Sequence, residues 1–269
     1  MKKISLVFIA ICLLAPAQVF GQFGSADDDF TLIDEHYLGR AVAANILSRY
    51  RPYIQNIEAT QYLNHICQTL VINSNIRPTF SGHRVMILDS EEINAFATPG
   101  GHIFITRGML RLATSEDMLA AVIAHELAHI VLRHSITIIN ETRFMAEMSA
   151  IADRAANIAG RTSPEAARAA NFRNAISGTI DILMTNGYSQ TQEFEADFKA
   201  VALLANAGYD PRALLEVLRA LERVQGSHAG GLFSTHPSPA MRINNLQRLN
   251  FPAVPPNPQR EARFRNMQF

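Results

Sequence analysis

The sequence predicts an α+β domain, mostly α-helical, with one small β-sheet. Three observations predict it. Between residues 85 and 106, short runs of β-branched and aromatic residues are broken by Pro99-Gly100-Gly101, the punctuation of strands. From Ser115 onward the apolar residues recur mostly at helical spacing. About 248 residues beyond an N-terminal leader, in a chain that is 48% hydrophobic, can bury a sizeable core as one domain.

Taken in order, Lys2 and Lys3 precede an apolar stretch, Ile4 to Ala15, interrupted only by Ser5 and Cys12. Val19-Phe20-Gly21 supplies the positions before a cut that leaves Gln22 first, and Ala15-Pro16-Ala17 offers a second cut. Residues 1–21 are therefore expected to form a secretory signal peptide, the run being too short for a retained spanning anchor. A lipoprotein is disfavoured because Ile11 stands before Cys12 where a small residue is wanted. Loss of the leader leaves Cys67 alone, so no internal disulfide forms and stability must come from packing or a metal. It also removes two of the 24 basic residues, leaving 22 against 24 acidic ones, a net of −2. No basic excess points to nucleic acid or to an anionic membrane surface.

Asp27-Asp28-Asp29 is an acidic start that caps a helix beginning near Thr31. Apolar spacing predicts helices over 31–50 and 57–73, the second placing Cys67 among Leu63, Ile66 and Leu70, buried and inert. Arg77-Pro78 and Ser81-Gly82 break that pattern. Val85, Ile87 and Leu88 then read as a strand, as do Ala95 to Ala97 and Ile103 to Thr106, the last two joined by the proline-glycine turn. His102 reads as a surface or edge-strand residue. Ser115 is an N-cap, with Glu116 and Asp117 in the first turn of a helix running from Met118 to Leu132. Residues 135–186 are rich in alanine and methionine, and Met145, Met148 and Met184 read as core or as a flexible lid. Glu141, Arg143, Glu147, Asp153 and Arg154 interrupt any apolar run of about 18 residues there, so the stretch is not expected to span a bilayer. A helix over 189–206 ends at Gly208, another starts after Asp210-Pro211, and a last one follows Ser238-Pro239. Pro252, Pro255, Pro256 and Pro258 predict an extended tail over 251–269, with Arg260, Arg263 and Arg265 as solvated charges.

The chemistry concentrates in His125-Glu126-Leu127-Ala128-His129. Residues four apart on a helix share a face about 6 Å apart, so two imidazoles converge on one point, which suits tetrahedral zinc. Glu126 projects beside them, placed to hold a water and take its proton. Met118, Leu119, Val122, Ile123, Leu127, Ile130, Val131 and Leu132 surround the pair with no charge, unlike a solvated helix face. A third ligand must come from elsewhere. A metzincin needs glycine at 132 and histidine at 135, where Leu132 and Ser135 stand, so that class is excluded. His134, about 140° further around the helix than His129, points away and reads as structural. In Gln192-Glu193-Phe194-Glu195-Ala196-Asp197, Glu193 and Asp197 share a face, so one can bind metal while the other orients a ligand imidazole. Glu195 points elsewhere, to solvent.

These motifs together resemble the metallopeptidase family of HtpX, the CAAX prenyl proteases and the mitochondrial Oma-type proteases. Asn94 to Gly101, Ile103 to Gly108, and Ser234-Thr235-His236-Pro237-Ser238-Pro239 with Arg242-Ile243 are similar to further segments of that family, in order over roughly residues 30–250. The resemblance implies a gluzincin-like metalloprotease domain over 28–250, holding one Zn2+ per chain on His125, His129 and Glu193. It implies Glu126 as general base, Asp197 as partner of a ligand imidazole, and His236 and Arg242 as an active-site pair near the scissile carbonyl. It also implies a substrate edge strand at Ile103, Phe104, Ile105 and Thr106.

The resemblance implies a zinc endopeptidase exported to the periplasm, free or membrane-associated. Its substrates would be misfolded or misassembled envelope proteins, with envelope membrane proteins or a membrane-associated partner among its contacts. The chain departs from many relatives in having no transmembrane helix after its leader, and it stops soon after the His236 motif. The family arginine before Glu193 is absent, the residues there being Ser189-Gln190-Thr191-Gln192. His236 has two readings, a resting latch on the metal or a donor to the oxyanion; Gly226, Gly230 and Gly231 just before it favour the mobile latch. A chaperone-like binding module and a structural zinc protein are the rival readings. An open coordination position beside an intact Glu126 argues against both.

Overall fold

The computed structural model describes residues 30–142, 187–224, 232, 236, 238–252 and 254–267. The leader, Asp27-Asp28-Asp29, Met145, Met148, Met184 and the three glycines before His236 lie outside the described residues. Helix α1 (Leu32–Arg49) starts with Thr31 as N-cap and Asp34 closing a capping box, and α2 (Ile57–Ile72) starts at Asn56. Strands β1 (Arg84–Leu88), β2 (Ala95–Ala97) and β3 (His102–Thr106) follow. Then come α3 (Arg107–Leu112), α4 (Glu116–Val131), α5 (His134–Thr142), α6 (Gln190–Asn206), α7 (Ala213–Val224), α8 (Pro239–Leu246) and α9 (Pro258–Arg265). The architecture is α+β and mostly helical, as the patterning predicts. No single described helix is long and apolar enough to cross a membrane.

The sheet order is β1-β3-β2, with β1 parallel and β2 antiparallel to β3. Strand β3 is therefore central, and Ile103, Phe104, Ile105 and Thr106 are not an edge on which a substrate can lie. Both sides of that strand are taken, Val85 pairing with Ile103 and Phe96 with Phe104. His102 likewise begins the central strand. The outer side of β1 is also bonded: Tyr53 N donates to Ile87 O (2.8 Å), and the Asn64 side chain bonds Val85 N and O. The edge beside α4 is β2. The hairpin turn meets α1 backbone to backbone, since a Cβ on Gly39 would stand 1.7 Å from Pro99 O.

Helix α4 is the core element, buried from Met118 to Ile130 and packed against α2, β2, α6 and α7. Its apolar sides explain why it is sunk: from Met118 to Val131 every side chain but His125, Glu126 and His129 is Ala, Leu, Ile, Val or Met. Cys67 is buried as expected, and burial pushes its thiol up to about 12.

The tail departs from its sequence reading. Pro258 occupies the first turn of α9 under an Asn257 cap, a position where proline costs no hydrogen bond. Arg263 Nε and Nη2 donate to Glu116 at 3.0 and 2.7 Å. Arg260 bonds Asp117 (3.1 Å) and Gly208 O (2.7 Å), and lies 4.2 Å over the Tyr209 ring. Two of the three tail arginines are thus pinned to the start of α4, because a buried carboxylate such as Glu116 needs partners. Arg265 stays exposed.

Candidate metal centre

Ser115 caps α4, its hydroxyl accepting from Met118 N, and the helix then delivers His125 and His129 to one face. Helix α6, opened by a Ser189–Gln192 capping box, crosses it and presents Glu193 and Asp197. The His125 and His129 Nε2 atoms lie 3.1 Å apart. Glu193 Oε2 is 3.4 Å from the first, and its Oε1 is 3.3 Å from the second. Ligands about 2.05 Å from a tetrahedral centre stand about 3.3 Å apart, so these three donors fit one small metal ion. His236 joins them, the four donors lying within 4.8 Å of one another, and its Nδ1 is 2.7 Å from Glu193 Oε1.

The electrostatics agree. Burial drives His129 well below the usual imidazole range, leaving it a neutral imidazole. Burial and Arg242 oppose a charge on His125, but hydrogen bonds to Asp197 and Glu193 outweigh them and raise it to about 9. Burial also pushes Glu193 upward, yet the charges of His236, Arg242 and His125 hold it well below the carboxylate range. The pocket favours positive charge, on His125 or on a cation held in its place. Asp197 Oδ1 lies 3.1 Å from His125 Nδ1, the contact expected of an orienting carboxylate. The Arg242 guanidinium is committed: Nε and Nη2 donate to Asp197 at 2.8 and 2.5 Å, and Nη1 lies 3.0 Å from Glu193 Oε2.

Glu126 sits beside the donors, 3.9 Å from His236 Nε2, and burial pushes it above the usual carboxylate range. Its Oε2 finds no hydrogen-bond partner among the described residues. Glu126 and His125 also line an apolar cleft walled by Ala95, Met109, Val122, Leu214 and Leu218.

His134 does not point away. Helix α4 ends at Val131, Arg133 takes a left-handed φ of 57°, and α5 leaves at 42° to α4. A helical wheel extended past that turn misplaces everything after it. His134 instead folds back, its Nδ1 2.9 Å from His129 Nδ1 and its Nε2 3.2 Å from Glu195 Oε2. Glu195 is half exposed, as expected, but it is bonded inward as well. Tyr188 is a residue the sequence reading missed. Its ring stacks on His129 at 3.8 Å between centroids, and its hydroxyl meets Ser135 at 2.9 Å. Only its place just before the cap of the ligand helix could have signalled it.

Two histidines one turn apart, a glutamate between them and a carboxylate from a second helix define a metallopeptidase-type centre of the gluzincin kind. Residues 58–250 match the family described as Peptidase family M48, and the chain belongs to it. It is similar to the beta-barrel assembly-enhancing protease of Escherichia coli strain K12, 28% identical over 195 residues, 71% of this chain and 39% of that protein. The protein of the same name in Yersinia pestis is 29% identical over 201 residues, 73% of this chain and 40% of that one. Mitochondrial metalloendopeptidase OMA1 of Schizosaccharomyces pombe is 32% identical over 156 residues, 57% of this chain and 42% of that one. The chain spans less than half the length of each of these three relatives.

Proposed function

We propose that this chain is a zinc-dependent endopeptidase that cleaves misfolded or misassembled proteins of the cell envelope, exported to the periplasm behind its leader. The observation that carries the reading is the pairing of three donors at tetrahedral spacing with Glu126, which has one unpartnered oxygen among the described residues and lines an apolar cleft. Two imidazoles and a carboxylate are a donor set that suits zinc. His125, His129 and Glu193 would hold the ion. When bound, it would supply Lewis acidity, lowering the pKa of water and polarising the scissile carbonyl.

The chain's own groups do the rest. Glu126, whose carboxyl burial pushes above the usual range, takes a proton from the attacking water in its ionised form and returns it to the leaving amine. Asp197 fixes the His125 ring through Nδ1, while Arg242 neutralises and positions Glu193 and Asp197. His236 would supply a fourth donor at rest. Substrate lies extended along β2, whose Ala95 lines the cleft, rather than along β3. The names of the relatives, a beta-barrel assembly-enhancing protease and a mitochondrial metalloendopeptidase, support the reading.

Digestion of casein by the purified chain tests it. Activity should vanish with a chelator and return with zinc. Glu126→Gln should keep one zinc per chain and native circular dichroism yet lose on the order of 10²–10⁴ in turnover. Turnover within about tenfold of the wild type in that variant would overturn the role of Glu126. Casein bound without digestion would favour the chaperone-like module.

A further inference from the structure

We propose that Glu195 is a positioning residue, which orients the metal-facing imidazole of His129 through His134. The inference rests on the reading of His125, His129 and Glu193 as metal ligands. His129 turns its Nε2 toward His125 Nε2 (3.1 Å) and Glu193 Oε1 (3.3 Å), so a metal there takes the Nε2 lone pair. The ring hydrogen of neutral His129 must then sit on Nδ1. Nδ1 faces His134 Nδ1 at 2.9 Å, and two hydrogens cannot occupy that contact. His134 therefore accepts at Nδ1 and carries its own hydrogen on Nε2, which is directed at Glu195 Oε2, 3.2 Å away. Each assignment forces the next.

The contact is also held mechanically. Gln192 Nε2 donates to the His134 carbonyl at 3.4 Å, so the first two turns of α6 hold His134 at backbone and, through Glu195, at the ring. The left-handed Arg133 delivers His134 to that grip. Helix α6 thus carries one carboxylate into the donor cluster and one on either route to the histidines. Asp197 reaches His125 directly, and Glu195 reaches His129 by relay. Without Glu195, no other hydrogen bond among the described residues reaches His134 Nε2 to select between its two tautomers. The wrong one offers an Nδ1 hydrogen to His129 and drives the His129 hydrogen onto Nε2, where the metal must bind.

The test is zinc affinity of the full chain, measured by competition with a chromophoric chelator. Wild type, Glu195→Ala, Glu195→Gln, His134→Ala and the Glu195→Ala/His134→Ala pair are compared, with circular dichroism as a check of fold. Glu195→Ala should weaken zinc about tenfold, the lower end of what loss of a group orienting a ligand histidine costs. Glu195→Gln, whose amide oxygen accepts the same hydrogen bond, should recover most of the loss. In the His134→Ala background, Glu195→Ala should add nothing. Imidazole ¹⁵N shifts of the zinc-loaded wild type should place hydrogen on His129 Nδ1 and His134 Nε2, and Glu195→Ala should mix the His134 tautomers. Wild-type affinity in Glu195→Ala, or a loss that adds fully to that of His134→Ala, would overturn the relay alone. A wild-type chain that takes up no zinc would overturn the metal reading and the relay with it.

Discussion

His236 reaches the donor cluster from outside the two helices that supply the other three donors. It is buried, with Nδ1 2.7 Å from Glu193 Oε1, and it brings the number of protein donors to four. The sequence argument for an enzyme leaned on an open coordination position, and this geometry closes it from within the chain. A centre that can be closed and still carries Glu126 fits a resting latch better than a structural site. His236→Ala should therefore digest an unstructured substrate several-fold faster than wild type, with self-cleavage visible on purified protein. An oxyanion donor would behave in the opposite way, its loss costing on the order of 10²–10³ in rate. A folded, zinc-loaded His236→Ala chain slower than wild type would sink the latch.

At the scale of elements, the start of α4 is held by the far end of the sequence. Glu116 is 2% exposed and accepts from Tyr62 Oη (2.8 Å), Tyr209 Oη (3.3 Å) and Arg263. Glu116→Ala removes an acceptor shared by two buried tyrosine hydroxyls and should lower stability by about 2 kcal/mol. Arg263→Ala removes a half-exposed partner and should cost under about 1 kcal/mol. Urea melts at saturating zinc measure both; equal costs would mean that the arginine, not the buried network, holds the helix. Local patterning could not have revealed this contact. Prolines at 252, 255, 256 and 258 carry the same signal whether the chain stays extended or starts a helix. The carboxylates that decide the matter lie more than 140 residues away. Helices α1, α2 and α4, the hairpin turn and the convergence of His125 and His129 were all legible because caps, glycines and apolar spacing are local. Strand order was not, since the parallel pairing of β1 with β3 is a non-local choice. His134 was misplaced because a wheel cannot foresee a left-handed Arg133.

For the whole molecule, the donors come from α4, α6 and residue 236, so the centre exists only when the fold does. Metal bound to the native state alone adds about 2.7 kcal/mol at a hundredfold excess over Kd. For a chain of this size that corresponds to a rise of several degrees in Tm. Thermal melts should therefore move down with a chelator and recover with zinc. Identical midpoints in both conditions would show that the buried charges balance without an ion.

One contact far from the chemistry limits how the sequence can drift. At Gly39 the α1 backbone touches the carbonyl of Pro99 with no side chain between them. Even one added carbon forces the helix and the hairpin apart, and the hairpin runs through β3 into α3 and α4. Evolution can reshape the walls of the cleft residue by residue, but at position 39 it has almost no neutral step to take.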